Sequence, residues 1–416
     1  MADSQTFVIV GAGLAGAKAV QALRERGFDG RLVVIGDEHH LPYERPPLSK
    51  DFLAGAKTLA DFTVQPASWY ADHNVELRLG TPAASIDPAA RTVTLADGST
   101  VGYDKLLLAT GSRSRRLPLP GADATGVHYL RSIDDAVALD LLFKDAGSLA
   151  VIGAGWIGLE VTATARGRGV AVHVVEGAEV PLQRSLGSEI GEVFARLHRE
   201  HDVDLRLGAG VAEISTADGA ATGLRLADGS TITADAVLVA VGAQPNIELA
   251  EAAGLAIGEG GVLVDAALRS SDPNIFAVGD IAAAEHPLLG ARIRTEHWAN
   301  ALNQPAVAAA GMLGEPAEYT ALPYFFTDQY DLGMEYVGHA PDYARVVFRG
   351  DVAGRAFTAF WLDDDNRVLA GMNVNIWEGL DDIKALIGAK ATVDPAVLAD
   401  PAVAVADLVK AAQSGS

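Results

Sequence analysis

Short apolar runs alternate with helically spaced apolar positions along most of the chain, and they do so in two rounds. Residues 7–10 (Phe-Val-Ile-Val) are apolar without a break, the pattern of a parallel strand buried on both faces, and 15–26 has the spacing of a helix packed on it. A second strand is predicted over 31–36, followed by short alternating strands at 75–79, 92–95 and 105–108. The plan then returns, with an apolar strand before Gly153, a helical stretch after it, and a strand over 170–175. The turn Ala96-Asp-Gly-Ser-Thr100 recurs letter for letter as Ala227-Asp-Gly-Ser-Thr231. In both copies a glycine closes the next apolar strand thirteen residues after the turn glycine, Gly98 to Gly111 and Gly229 to Gly242. A whole domain plan is repeated, so two related domains are expected, each a parallel sheet with an inserted β-meander.

Residues 275–278 read as one more core strand, and 294–311 as a helix. From about residue 320 the pattern becomes aromatic and alternating, with strands predicted at 343–350, 356–362 and 367–374. These make a smaller antiparallel domain, closed by helices over 380–387 and 402–412, with 413–416 as a frayed end.

Each round opens on a Gly-x-Gly-x-x-Gly turn between strand and helix: Gly11, Gly13 and Gly16, then Gly153, Gly155 and Gly158. One such turn is weak evidence of a nucleotide, whereas two in this context imply two nucleotides. The fold class is therefore α/β, with two Rossmann-like nucleotide-binding domains and a C-terminal α+β domain. Asp37 follows the second strand, where such a fold holds an adenosine ribose. Glu176 ends the equivalent strand of the second round; a carboxylate there accepts from both ribose hydroxyls of NADH and repels the 2′-phosphate of NADPH. Arg184, eight residues on, is either a contact to adenine or pyrophosphate or a solvated charge. Asp280, after the 275–278 strand, returns a carboxylate to a nucleotide site. Pro42, Pro46 and Pro47 stiffen a loop that is expected to feed a helix near Ser49 and to deliver Lys50. Glu160 lies beyond what phosphate binding requires; its bland reading is an early-helix carboxylate favoured by the dipole.

Composition narrows the chemistry. The length of 416 residues suggests two to three domains. No apolar run approaches the ~18 residues of a membrane span, and residues 1–6 hold no basic-then-apolar signal, so the expected location is cytoplasmic. With no cysteine, the chain cannot form disulfides, thiolate nucleophiles or cysteine-ligated iron–sulfur clusters. The formal charge of −22 argues against nucleic acid or an anionic membrane as partner. His39 and His40 are adjacent rather than spaced along one helix face and read as loop residues, so no metal site is expected. Neither a Gly-x-Ser-x-Gly nor a His-Glu-x-x-His pattern is present to offer hydrolytic chemistry.

Together, Gly11–Gly16 with Asp37, Ala109-Thr-Gly111, Gly153–Gly158 with Glu176, and Ile275–Asp280 resemble the FAD-dependent pyridine nucleotide reductase superfamily, of glutathione-reductase-like fold. Within it, Glu44-Arg-Pro-Pro-Leu-Ser-Lys50, Gly158-Leu-Glu160 and Phe326-Thr-Asp-Gln329 are similar to the ferredoxin reductases of putidaredoxin-reductase and biphenyl-dioxygenase-reductase type. The similarity covers nearly the whole chain, and the missing cysteines fit a branch without a redox disulfide.

The resemblance implies FAD on 1–112 with 245–320, NADH on 113–244, and an α+β interface domain over 321–416. Around FAD it implies Gly11, Gly13 and Gly16 in the turn, Ala15 at the pyrophosphate, Asp37 at the adenosine ribose and Lys50 beside the flavin ring. It also puts Ala83 and Arg131 at the adenine and ring ends, Thr110 and Gly111 in the same site, Asp280 at the ribityl chain and Trp298 at the pyrimidine edge. NADH falls to the Gly153, Gly155 and Gly158 turn with Ile157, Glu176, Arg184 and Gly242, and Glu160, just past that turn, is implied as a further residue of the cofactor site. Phe326 stands where relatives usually carry the tryptophan that shields the nicotinamide, keeping a ring but losing the indole donor.

The implied reaction passes a hydride from NADH to flavin N5, about 3–3.5 Å away, with electrons then leaving singly to an iron–sulfur ferredoxin. That carrier serves a cytochrome P-450 monooxygenase or a ring-hydroxylating dioxygenase. Lys50 and Glu160 are the implied catalytic pair, joined as an ion pair beside N5, and the dipole of a helix beginning near Thr295 stabilises charge at N1 and O2. Many ferredoxins are acidic, so a local basic patch is expected from Arg292, Arg294, Arg345, Arg349 and Lys384. The alternatives are a rubredoxin reductase, an NADH oxidase or peroxidase, or an apoptosis-inducing-factor-like NADH-sensing protein. Monomer and homodimer both remain open.

Overall fold

Leu32, Val33, Val34 and Ile35 are fully buried because their strand lies inside a parallel sheet covered on both faces. The structure, a computed structural model, describes residues 5–414. It divides into two units. The first holds the chain up to Glu44, Thr58–Arg113 and Ala243–Pro323; the second holds Arg45–Lys57, Ser114–Gly242 and the chain from Tyr324 onward.

In the first unit a five-stranded parallel sheet runs in the order Ile275–Ala277, Lys105–Leu108, Thr6–Val10, Arg31–Ile35, Val75–Arg78. Val8 sits at its centre, level with Val33 on one side and Leu106 on the other. The helices Leu14–Glu25 and Trp298–Met312 pack on each other, and Phe28 stacks on Phe7 at 4.0 Å. A three-stranded meander, Ala83–Asp87, Thr92–Leu95 and Thr100–Gly102, is inserted before the 105–108 strand.

The second unit repeats the plan with parallel strands in the order Asp204–Arg206, Ala171–Val175, Ser148–Ile152, Ala236–Val239, Val127–His128. Its meander is Val211–Ala217, Ala220–Leu226 and Thr231–Thr233. The two copied turns fold alike. Asp97 and Asp228 each accept at 2.9 Å from the amide two residues on, and Gly98 and Gly229 take φ of 83° and 88°. The same unit carries an antiparallel sheet in the order Tyr324–Gln329, Leu332–Gly338, Val368–Val374, Ala356–Leu362, Arg345–Asp351. Helices Leu380–Gly388, Pro395–Ala399 and Val405–Ser414 follow it; the middle one was not foreseen. Gln413 continues the last helix rather than fraying from it, and residues 415–416 lie outside the described residues.

Two helix starts differ from expectation. Pro46 and Pro47 preset φ for a short 3-10 turn, Pro46–Ser49, and Lys50 then leaves helical geometry at φ −122° and ψ −104°, so no helix begins at Ser49. The helix expected from Arg294 begins at Trp298, because the Asn300 amide folds back to the carbonyl and hydroxyl of Thr295 at 3.0 and 2.8 Å. Among the described residues no helix is long and apolar enough to cross a membrane.

Candidate active site

The two glycine turns share one geometry. A Cβ on Gly11 would run into the Ala109 carbonyl, and one on Gly16 into the carbonyl of Gly11. In the second copy, Gly153 is closed by the Ala240 carbonyl and Gly158 by that of Gly153. The first glycines also sit at φ of 122° and 102°, where an L side chain is strained. Gly13 and Gly155 instead face open space, with no atom within 4 Å of a Cβ. Each is the N-cap of its helix, and neither helix has a side-chain cap or an acidic residue in its first turn. Free amides and the positive dipole end are thus presented beside a gap in the packing, which suits a pyrophosphate. The residues present fit two dinucleotides on this ground.

In the first unit the structure brings several expected FAD residues together. Ala15 adjoins Gly279, 3.8 Å from where a Cβ there would lie, so the buried Asp280 stands beside the glycine turn. The Gly279 amide donates to Gln304 Oε1 at 2.7 Å, fixing that turn. Thr110 donates its hydroxyl to the Asn246 carbonyl and Gly111 accepts from the Asn246 amide, at 2.7 and 2.9 Å, which holds the end of the 105–108 strand. Trp298 donates its indole N–H to Glu44 at 3.0 Å. Asp37 is exposed and Ala83 half-buried.

In the second unit Glu176 is held on both oxygens, accepting from the Ala154 amide at 2.7 Å and the Ala178 amide at 2.8 Å. This locks the carboxylate against the glycine turn. Ile157, in the first turn of the Trp156–Gly167 helix, leaves an apolar side chain 42% exposed next to Gly155. Gly242, at φ 107°, has no atom within 4 Å of a Cβ. Arg184 is exposed on the short Gln183–Leu186 helix. Arg131 belongs to this unit, whereas Ala83 belongs to the other. Its carbonyl accepts from Arg45 at 2.5 Å and its amide donates to Asp135 at 2.9 Å.

Lys50, Glu160 and Phe326 meet in the second unit. Lys50 Nζ lies 3.4 Å from Glu160 Oε1 and 4.7 Å from the centre of the Phe326 ring. Glu160 is 5% exposed. It also accepts the Thr327 hydroxyl at 2.6 Å and the Ser49 hydroxyl. Both hydroxyls are contacts that the sequence reading missed, although Ser49 adjoins Lys50 and Thr327 adjoins Phe326. The proline turn is pinned along one face of the Trp156–Gly167 helix and just beyond its end. Thr164 donates to the Ser49 carbonyl at 2.9 Å, and Arg168 donates to the Leu53 carbonyl at 2.8 Å. Glu160, Thr164 and Arg168 share the i, i+4 spacing that puts them on one side. Arg168 also bonds Asp140 at 2.6 Å and holds its carboxyl below the usual range.

Three of the five residues expected to form a basic patch have an acidic partner. Arg292 pairs with Glu285 at 2.5 Å, Arg294 with Glu296 at 2.6 Å, and Lys384 with Asp381 at 2.8 Å. Arg349 donates to the carbonyls of Leu398, Asp400, Pro401 and Val403, tying down the end of the Pro395–Ala399 helix.

The pyridine nucleotide-disulphide oxidoreductase model matches residues 5–305. The chain belongs to that family. Residues 324–409 of this oxidoreductase match the reductase C-terminal model. The ferredoxin–NAD(+) reductase component of the anthranilate 1,2-dioxygenase system of Burkholderia cepacia is 42% identical over 401 residues, 96% of this chain and 98% of that one. The crystal structure of the ferredoxin reductase for the CYP199A2 system from Rhodopseudomonas palustris is 37% identical with a TM-score of 0.93, covering 98% of this chain and 100% of that one. The covalent putidaredoxin reductase–putidaredoxin complex matches at 35% identity and a TM-score of 0.94, covering 99% of each chain. The family and branch expected from the motifs are the ones found.

Proposed function

We propose that this chain is an NADH-dependent ferredoxin reductase, drawing electron pairs from NADH and handing them singly to an iron–sulfur ferredoxin of a cytochrome P-450 or ring-hydroxylating dioxygenase system. The observation that carries the reading is the pair of glycine turns, each with an open middle glycine at an uncapped helix start. FAD, when bound, supplies the redox chemistry by accepting a hydride and releasing its electrons one at a time. A chain without cysteine has no thiol pair to take both electrons onward, which favours a one-electron carrier. The relatives point the same way, since one is the ferredoxin–NAD(+) reductase component of a dioxygenase system and another is joined to putidaredoxin.

The division of labour follows. Residues 1–112 with 245–320 hold FAD, through the Gly11–Gly16 turn with Ala15, Asp37 and Asp280. Residues 113–244 hold NADH, with Glu176 offering its carboxylate to the ribose hydroxyls and repelling a 2′-phosphate. The 321–416 part supplies Phe326 for stacking. Lys50 supplies a positive charge next to the isoalloxazine, and Glu160 with its hydroxyl partners keeps that ammonium in place. Such an enzyme works where NADH is regenerated, in the cytoplasm.

Cytochrome c reduction by NADH, measured with and without an added [2Fe–2S] ferredoxin, tests the reading. The ferredoxin should raise the rate many-fold over the reductase alone. Rapid NADH oxidation in air without a carrier would instead identify an oxidase.

A further inference from the structure

Four buried polar side chains run in line from the Lys50–Glu160 pair to the Ser188–Glu200 helix. Thr327 donates its hydroxyl to Glu160 Oε1 at 2.6 Å, Gln329 Nε2 donates to Thr327 Oγ1 at 3.2 Å, and His198 Nε2 lies 2.9 Å from Gln329 Oε1. Tyr330 OH lies 3.4 Å from His198 Nδ1, and its ring stacks on His201 at 3.6 Å. Glu160, Thr327, Gln329 and His198 are 5%, 0%, 1% and 0% exposed. Such groups are costly to bury unless each is satisfied.

The line follows from local geometry. Phe325, Thr327 and Gln329 alternate along the Tyr324–Gln329 strand, so they share a face. Trp156 and Glu160, four apart on one helix, and Phe194 and His198, four apart on another, meet that face in turn. Trp156 lies 4.8 Å from Phe325 and 6.2 Å from Phe194 by ring centres.

A carboxylate at one end gives the line a direction. Thr327 has one hydroxyl hydrogen, and only by giving it to Glu160 does it avoid setting two oxygens face to face. It must then accept from Gln329, which turns the amide so that its carbonyl faces His198, and His198 must carry its hydrogen on Nε2. Turning the Gln329 amide over would send the Thr327 hydrogen away from Glu160.

We infer that His198 and Gln329 are positioning residues for Glu160, orienting the Thr327 hydroxyl so that the carboxylate stays aligned on Lys50; this rests on the Lys50–Glu160 reading given above. Burial pushes the His198 imidazolium down to about 4, so at neutral pH the ring has a single N–H to commit. Gln329 opposes that shift and the neighbouring His201 adds to it.

Nitrogen-15 spectra of the imidazoles and anaerobic stopped-flow reduction by NADH, on the flavin-loaded full chain, test this together. His198 should appear as the Nε2–H tautomer at neutral pH. His198→Leu should slow reduction about tenfold with NADH affinity within about twofold, and His198→Gln, which restores a donor at the Nε2 position, should recover most of the rate. Gln329→Leu should behave like His198→Leu, so the inference stays testable if one variant folds poorly. An Nδ1–H tautomer would overturn it. So would a wild-type rate in His198→Leu when Glu160→Ala is slow. A wild-type rate in both would overturn the role given to Glu160 and the inference with it.

Discussion

Glu160→Ala should slow flavin reduction by NADH about 10–100-fold while leaving NADH affinity within about twofold. The side chains of Lys50 and Glu160 are 14% and 6% exposed, so the ammonium loses its counter-charge where water reaches it poorly. The Ser49 and Thr327 hydroxyls lose their acceptor at the same time. A charge-assisted hydrogen bond contributes about 1.5–3 kcal/mol, which is the rate factor stated. Glu176 and the Gly153–Gly158 turn are untouched, so NADH binding should persist. Stopped-flow reduction at several NADH concentrations separates the limiting rate from the affinity. A change in affinity alone would make Glu160 part of the NADH site and nothing more.

Gly155→Ala and Gly158→Ala should fail in opposite ways. At Gly155 a methyl group enters open space, so the fold should hold, with Tm within about 2 °C of wild type. NADH affinity should nevertheless fall about 100-fold, because the methyl occupies the place where backbone must approach the pyrophosphate. At Gly158 the methyl meets the Gly153 carbonyl, and the helix can no longer pack against the turn. There Tm should fall by about 5 °C or more, with NADH binding lost as a consequence. Calorimetry with NADH titration distinguishes the two. Equal thermal damage at both positions would mean that the middle glycine serves packing rather than a ligand.

Much of this was legible because it is local. A glycine turn, the strand before it and the helix after it lie within one short stretch, and the copied Ala-Asp-Gly-Ser-Thr turns announce the second domain. The Lys50–Glu160 pair came from resemblance rather than from spacing. What supports Glu160 was not legible, since Ser49, Thr327, Gln329 and His198 reach each other only through tertiary packing. Their sole trace is the alternation of Thr327 with Gln329 and the four-residue steps on two helices. The helix starts near Ser49 and Thr295 were misplaced for a local reason: proline-set φ in one case, and an asparagine side chain competing for backbone in the other. The basic patch shows a further limit, since sequence shows charges without their partners: Glu285, Glu296 and Asp381 pair with three of the five.

Anaerobic titration of the purified protein with NADH tests the central claim most directly. The protein should be yellow, and its flavin absorbance should bleach fully with about one NADH per flavin, because a chain without cysteine offers no second pair acceptor. A long-wavelength charge-transfer band should appear as the bleaching completes. A colourless protein, or a flavin that NADH does not bleach, would contradict the account.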